Sequence, residues 1–426
     1  MSIYDRWHKT RPSPGDEPCR EHGRSKTATL YPTADHGKGD RWQVRWRDEN
    51  GVQRKKNFAK RDGIDPDKCA AAFDAKTKRE LDTGTSLDIA AGQLKVRDYG
   101  AEWRKNLLHR DSTAQRFQRV FRIHVDPLPL GGLPMTRVRP MHLRAWVKDR
   151  SEVIAPSTLA VVWGNVNSMF SAAVADRVIS ISPCTSVALP DVPHHPHYIP
   201  SDEQVHQLAA ALPERFAPII YDAAGCGHRQ GEIMGLELDS IDFDACEIDI
   251  TQQLICVTGQ EPYLGPPKTK TSVRTTKVPA VTIAALARHI ERFPPAETEI
   301  WDRTDPDKRK HHRRVARLVF TTAGGRPIPR SSWANLWAPA ARAAGIPKGN
   351  GVHTLRHYFA TRLIHNGASV KRVQLALGHS SPMITLNTYV GEWPDTDSET
   401  SSIIDAALGS VPRMCPVPLP GRKVRS

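Results

Sequence analysis

The sequence predicts a multidomain protein, mainly α-helical with small β-sheets. Three observations carry this reading. The 426 residues exceed what one compact core organises. A strictly alternating stretch lies near the N-terminus, whereas most of the later chain repeats its apolar residues at helical spacing. Between them, Leu189-Pro-Asp-Val-Pro-His-His-Pro-His-Tyr-Ile-Pro200 packs four prolines into twelve residues, and proline stiffens extended chain while forbidding helix interiors.

Residues 1–24 mix Pro, Gly and charge without period and are expected to be disordered, with order beginning near Ala28. The run Arg41-Trp-Gln-Val-Arg-Trp-Arg47 sends Trp42, Val44 and Trp46 to one face of a strand and Arg41, Arg45 and Arg47 to the other. Asn50-Gly51 then supplies a turn, a second strand runs through Phe58, and a helix extends from Asp67 to about Leu81. A sheet-plus-helix domain over 25–90 results. Residues 91–188 form an all-helical domain, with helices over Val96–Leu108, Ser112–Ile123, Arg139–Arg150 and Pro156–Asp176. Residues 189–200 are the linker. Ser201 and Gln204 make a capping box that opens the third domain, 201–408. That domain is mixed: helices to Leu238, strands near Glu247–Val257 and Ser272–Pro279, then helices to about Asp405. The basic, Pro-rich segment 409–426 is expected to be a loose tail.

Charge points to a polyanionic partner. Lysine and arginine total 60 against 46 acidic residues, a net charge of +14, and they are spread over the whole chain. Between residues 41 and 61 eight cations face only Asp48 and Glu49. Arg41, Arg45, Arg47, Arg54, Lys55 and Lys56 are therefore candidate DNA contacts, although a solvated outer face is the ordinary reading of such a hairpin taken alone. Residues 93–190 add fourteen cations against seven acids. No run approaches the ~18 apolar residues of a membrane span, and the polar start from Met1 to Asp16 lacks a secretory core, so a cytoplasmic protein is expected. The seven cysteines form no Cys-x-x-Cys pair, which suits reduced structural thiols. His194, His195 and His197 with Cys184 match no zinc spacing, and neither a metal nor a cofactor is expected.

Breaking a phosphodiester without metal requires cations on the non-bridging oxygens, and arginine's planar fork suits them best. Arg229 lies in a Gly-rich turn, Ala224-Gly-Cys-Gly-His-Arg-Gln-Gly-Glu-Ile, entering a helix, with Glu232 placed to orient its guanidinium. In His353-Thr-Leu-Arg-His357 the apolar residues Leu355, Phe359 and Leu363 recur every four, so His353 and Arg356 project together. A zinc pair of His353 and His357 lacks the neighbouring glutamate of zinc proteases. Further on, Val370, Val373 and Leu377 define a helix ended by Gly378; His379 follows, and a second short helix delivers Tyr389. A lone tyrosine is ordinarily packing. A phenolate in such company can attack phosphorus and leave a covalent phosphotyrosine.

These boxes, in this order from Ala224 to Val390, resemble the tyrosine recombinases, or phage integrases. The resemblance implies that Arg229 and Arg356 clamp the scissile phosphate and that His353 assists as acid/base or donor. It likewise implies that His379, in Leu377-Gly-His-Ser-Ser, belongs to the site, that Lys268 in Pro267-Lys-Thr-Lys protonates the leaving 5′ oxygen, and that Tyr389 in Asn387-Thr-Tyr-Val is the nucleophile. His353 is the candidate activator of the phenol. Lys270, two residues on, is expected on the same strand face as Lys268. Cys226-Gly-His228 departs from the family's more usual Thr-Gly-Leu before the first arginine. Residues 93–190 match the family's core-DNA-binding domain by position and pattern, and the first domain is similar to those that grip separate arm sites. Implied partners are double-stranded DNA at core and arm sites, a homotetramer on two duplexes, and accessory bending and excision factors. A topoisomerase-like enzyme and a non-catalytic DNA-binding relative are the alternatives.

Overall fold

The computed structural model describes residues 2–22, 28–48, 51–193 and 196–392. The chain divides into two compact units, Met1–His194 and His195–Ser426.

In the first unit, β1 (Ser2–Asp5), β4 (Trp42–Arg47) and β5 (Gln53–Phe58) form an antiparallel sheet in the order β1-β4-β5. A smaller pair joins β2 (His8–Lys9) to β3 (Tyr31–Pro32). The expected disorder before Ala28 is thus corrected: residues 2–22 are built into the domain. They lack periodicity because they are held by edge pairing (Ile3 opposite Val44) and by side-chain contacts, not by an amphipathic face. The α1 helix (Ala70–Asp82) covers the sheet, where Val44, Phe58 and Ala70 are buried and Phe73 meets Trp46 and Phe58 with ring centroids 5.2 and 5.1 Å apart.

Register separates the cations that the sequence grouped together. Arg45 is paired with Lys55 and Arg47 with Gln53, so these point away from α1. Arg54 and Lys56 are paired with Trp46 and Val44 on the helix side. There Arg54 bonds Asp48 at 2.8 Å and the Lys56 ammonium lies over Phe58 and Phe73. Arg41 is held by Asp5 at 2.7 and 3.0 Å. The outward basic face is therefore Arg45, Arg47 and Lys55.

Helices follow: α2 (Ile89–Gln93), α3 (Val96–Lys105), α4 (Asp111–His124), α5 (Pro129–Gly132), α6 (Pro140–Ser151) and α7 (Pro156–Ala175). The four helices read from periodicity are present within a few residues of their expected ends. By length and composition α7 could cross a membrane, contrary to the expectation that no segment would qualify. One face of it, Leu159, Val162, Val166, Met169, Phe170 and Ala173, is the centre of this unit's helical core.

The second unit opens with α8 (Asp202–Ala211). Its capping box is formed: Gln204 N–H donates to Ser201 Oγ at 3.2 Å and Ser201 N–H to Gln204 Oε1 at 3.0 Å. Then come α9 (Ala217–Cys226), α10 (Gln230–Met234), β6 (Ile241–Asp242), β7 (Glu247–Ile250), β8 (Gln253–Ile255), β9 (Tyr263–Gly265), β10 (Arg274–Lys277) and α11 (Ala280–Arg292). Two strands absent from the sequence reading follow, β11 (Ala296–Asp302) and β12 (His312–Leu318), paired along seven residues. Their inward positions, Ile300, Ala316 and Leu318, are few among charged neighbours, which hides the alternation. The sheets run β10-β7-β6 and β12-β11-β9-β8. The chain continues through α12 (Arg330–Ala343), α13 (His353–His365), α14 (Val370–Leu377) and α15 (Pro382–Tyr389). The expected helix to Asp405 and the tail beyond lie outside the described residues, as do His194 and His195.

Candidate active site

The site is built where α9, α13 and α14 meet. Gly227 ends α9 at φ +65°, and a Cβ there would lie 2.4 Å from Phe359 Cδ1, so only glycine lets the turn press onto α13. Gly378 ends α14 at φ +63°, where a Cβ would lie 3.0 Å from Thr271 O. Arg356 sits between these two turns. Its guanidinium is buried and donates to Gly227 O and Leu377 O, both at 2.5 Å. Burial and neighbouring Arg229 lower its pKa to about 9, which leaves it cationic at neutral pH.

Arg229 begins α10 and donates to Glu232 Oε1 at 2.7 Å and to Ser272 Oγ at 3.1 Å. Glu232 is 1% exposed and also accepts from Arg274 Nη2 at 3.1 Å. Burial alone would raise the Glu232 carboxyl, but Arg274 and Arg229 outweigh it and hold its pKa at about 2. Glu232 thus contacts Arg229, the guanidinium it is expected to orient. Arg274, absent from the sequence reading, shares the same anion; no box flagged it, because its carboxylate partner is 42 residues away in sequence. Behind Arg229, the departing His228 is buried and bonds Asp222 Oδ1 at 2.8 Å and Thr276 Oγ1 at 3.1 Å. His228, Asp222 and Cys226 bring three potential metal-binding atoms together, but both ring nitrogens of His228 already have partners.

Three histidines line the cationic centre. His379 pairs Nδ1 with Thr385 Oγ1 at 2.9 Å, and desolvation with Arg356 and Arg229 holds its pKa at about 4. His353 opens α13; although its ring reaches solvent, desolvation and the same two arginines hold it at about 4. His357 is the surprise. Its Nδ1 lies 3.0 Å from the Tyr389 hydroxyl, the position the sequence reading gave to His353. Its ring stacks on His197 at 4.0 Å, so His197 of the proline-rich segment, though exposed, packs on the site. Burial, with His197 and His353, brings His357 down to about 3. Helical geometry could have indicated this, since His357 stands one turn beyond His353.

Tyr389 is 3% exposed, and burial pushes its phenol up to about 12 against the pull of Arg356. Lys268 lies exposed between β9 and a 3-10 turn, Lys270–Ser272. It is on no hairpin: β9 and β10 belong to different sheets, so the expected strand face shared with Lys270 does not exist. Lys268 is nonetheless close enough to act electrostatically on His353. The structure thus gathers Arg229, Lys268, His353, Arg356, His379 and Tyr389 in one unit, with Glu232 as their buried counter-charge.

Residues 201–393 match the family model described as the Phage integrase family. A tyrosine recombinase XerC-like protein of Caldanaerobacter subterraneus is 26% identical over 80% of this chain and 89% of its own length. Residues 201–393 belong to the tyrosine recombinase family. The integrase of Mycobacterium phage D29 is 22% identical over 70% of this chain and 75% of its own. Among solved structures, the Tn1549 transposon integrase in complex with a circular intermediate DNA superposes with a TM-score of 0.63 at 21% identity, covering 74% of this chain and all of that one. A lambda integrase dimer bound to a core site gives 0.51 at 14% identity, over 81% and 91%. These likenesses support the mixed multidomain fold. Among tyrosine recombinases, this chain is a site-specific DNA recombinase, an enzyme that cuts and rejoins DNA.

Glu232 yields a pH prediction. A carboxyl held near pH 2 when folded, against an ordinary 4.5, stabilises the fold above pH 4.5, and that stability is lost as the pH falls towards 2. The amount is roughly 3 kcal/mol. Denaturant unfolding of Glu232→Gln is expected to show lower stability at neutral pH and a shallower acid limb than the parent; parallel acid limbs would discard the assignment.

Proposed function

We propose that Tyr389 attacks a DNA phosphate, forming a 3′-phosphotyrosyl bond as the bond to the 5′ oxygen breaks. The phenol releases its proton to water, the departing oxygen gains one from Lys268, and the 5′-hydroxyl of a partner strand later attacks the phosphotyrosine, returning the phenol. Bond energy is conserved through both steps, so no nucleotide cofactor is required. The observation that carries this reading is a buried phenol beside the Arg356 guanidinium, which itself adjoins Arg229 and Arg274 around the buried carboxylate of Glu232. This surplus of positive charge suits a phosphodiester and its transition state. One preorganised donor is worth ~3 kcal/mol there.

In the DNA-free protein His357 and Tyr389 differ so far in pKa that full proton transfer between them is strongly uphill. His357 therefore positions the phenol, and the Arg356 cation beside it is what favours proton release. His353 is left to donate to the phosphate. Losing a hydrogen bond of about 1 kcal/mol predicts that His357→Ala slows single-turnover cleavage ~5-fold, with partial recovery in His357→Gln. Unchanged cleavage in His357→Ala would remove this role.

The substrate reading is double-stranded DNA, with integration or excision of a phage or mobile element as the outcome. Three domains are proposed: 25–90 on arm-type sites through Arg45, Arg47 and Lys55, 91–188 on core sites, and 201–408 for catalysis. Assembly as a homotetramer on two duplexes, accessory bending and excision factors, and a cytoplasmic location on the nucleoid complete the reading. Support comes from the DNA complexes of the Tn1549 and lambda integrases. Incubating the full-length protein with DNA flanking its own gene and sequencing the products tests it. Recombinant junctions at a fixed crossover are expected. Relaxation of supercoils without junctions would replace it with the topoisomerase-like alternative.

A further inference from the structure

Four side chains near the N-terminus converge with no part in catalysis: His8 on β2, Cys19 and His22 in the following loop, and His36 after β3. His8 and Cys19 are buried, and His22 and His36 are partly so. Cys19 Sγ lies 3.4 Å from His8 Nε2, 3.6 Å from His22 Nδ1 and 3.3 Å from His36 Nε2, and the last two nitrogens are 3.4 Å apart. A tetrahedron built on Zn–S ≈ 2.3 Å and Zn–N ≈ 2.0–2.1 Å has S–N edges of about 3.5 Å and N–N edges of about 3.4 Å. The observed spacings fall on those edges.

Protons give an independent reason to prefer a metal over a hydrogen-bonded cluster. The carboxylate of Asp5 accepts from His8 Nδ1 at 3.0 Å, so the proton of the neutral ring sits on Nδ1 and Nε2 turns a lone pair toward Cys19. One thiol proton cannot satisfy three converging ring nitrogens. A cation can. Asp5 is fixed in turn by two bonds from Arg41, so the ring orientation is set from a neighbouring strand.

We propose that His8, Cys19, His22 and His36 bind one zinc-class divalent cation in a closed tetrahedral site, Cys19 binding as thiolate with release of its proton. Four protein ligands leave no open position, so the site is structural. It closes the loop from β2 to His36, and this explains how residues 2–22, apolar-poor and aperiodic, hold a fixed conformation. It departs from the sequence expectation that no metal would be bound. A Cys-x-x-Cys search passes over it because the pattern is Cys19-x-x-His22 with ligands far on either side.

The test is metal content by mass spectrometry on the untagged full-length protein, purified without chelator. One zinc per chain is expected, falling to background in Cys19→Ser and His36→Gln and retained in a Cys226→Ala control. Because the variants could fail to fold, wild-type protein reloaded with cobalt is a second measure: a thiolate-to-cobalt charge-transfer band with strong tetrahedral visible absorption is expected. Junction formation or DNA cleavage by the variants is not the readout, so failure here leaves the recombinase reading untouched. Metal-free wild-type protein, an octahedral cobalt spectrum, or zinc lost from the Cys226→Ala protein and kept in Cys19→Ser would each overturn the proposal.

Discussion

Arg356→Ala is expected to slow DNA cleavage by about 10²–10³-fold in single-turnover assays on a nicked substrate, the cost of deleting one preorganised donor to a developing charge. The buried guanidinium donates to Gly227 O and Leu377 O, and a guanidinium has five donors, so two bonds do not exhaust its capacity for a phosphate. It therefore acts twice. It fixes the two glycine turns that flank the site, and it supplies charge where burial strengthens it. Removing it also leaves two buried carbonyls without these donors, at ~1–3 kcal/mol each, so thermal stability should drop alongside activity. Arg356→Lys separates the two effects: the charge persists while the two-pronged geometry is lost, and cleavage is expected to stay at least ~10-fold below the parent. Parental cleavage by either variant would remove Arg356 from the phosphate clamp.

The second large effect is that of Tyr389→Phe. The substitution deletes a single oxygen whose hydrogen-bond partner among the described residues is His357 at 3.0 Å. Stability should change by only about 1 kcal/mol. Gel-shift affinity for target DNA is expected to remain parental, because the basic surfaces are untouched, while covalent adduct formation disappears. An adduct persisting in Tyr389→Phe would place the nucleophile elsewhere, and lost DNA affinity would mean that Tyr389 serves binding.

Much of this was legible before any coordinates. The alternation of Trp42, Val44 and Trp46 marked a half-buried strand, and helical periodicity located α3, α4, α6 and α7 within a few residues. Periodic burial leaves a periodic trace. What stayed hidden was held by other forces. Residues 2–22 carry no apolar period because pairing and converging polar side chains order them. The β11–β12 hairpin buries little along its charged strands. Arg54 and Lys56 were grouped with Arg45 because spacing alone does not say which face of β5 carries the helix; the register with β4 does.

The active site shows the same division. Arg229, Glu232, His353, Arg356 and His379 stand in local boxes near a glycine turn or helix start, and Tyr389 at the end of a short helix. Arg274 and Ser272 join only through long-range bonds to Glu232 and Arg229. His357 was visible but weighed only as a metal ligand; its bond to Tyr389 depends on how α15 folds back onto α13, which no local pattern encodes. Lys268 is expected on a strand, whereas the chain there passes between two sheets, a path that no local pattern encodes.

The most direct test of the central claim is the chemical identity of the trapped intermediate. Wild-type protein is incubated with a nicked suicide substrate, the covalent complex is digested with protease and nuclease, and the modified peptide is sequenced by mass spectrometry. The account predicts a nucleotide joined through its 3′ phosphate to the Tyr389 oxygen. A nucleotide on any other side chain, or one attached through a 5′ phosphate, would contradict it.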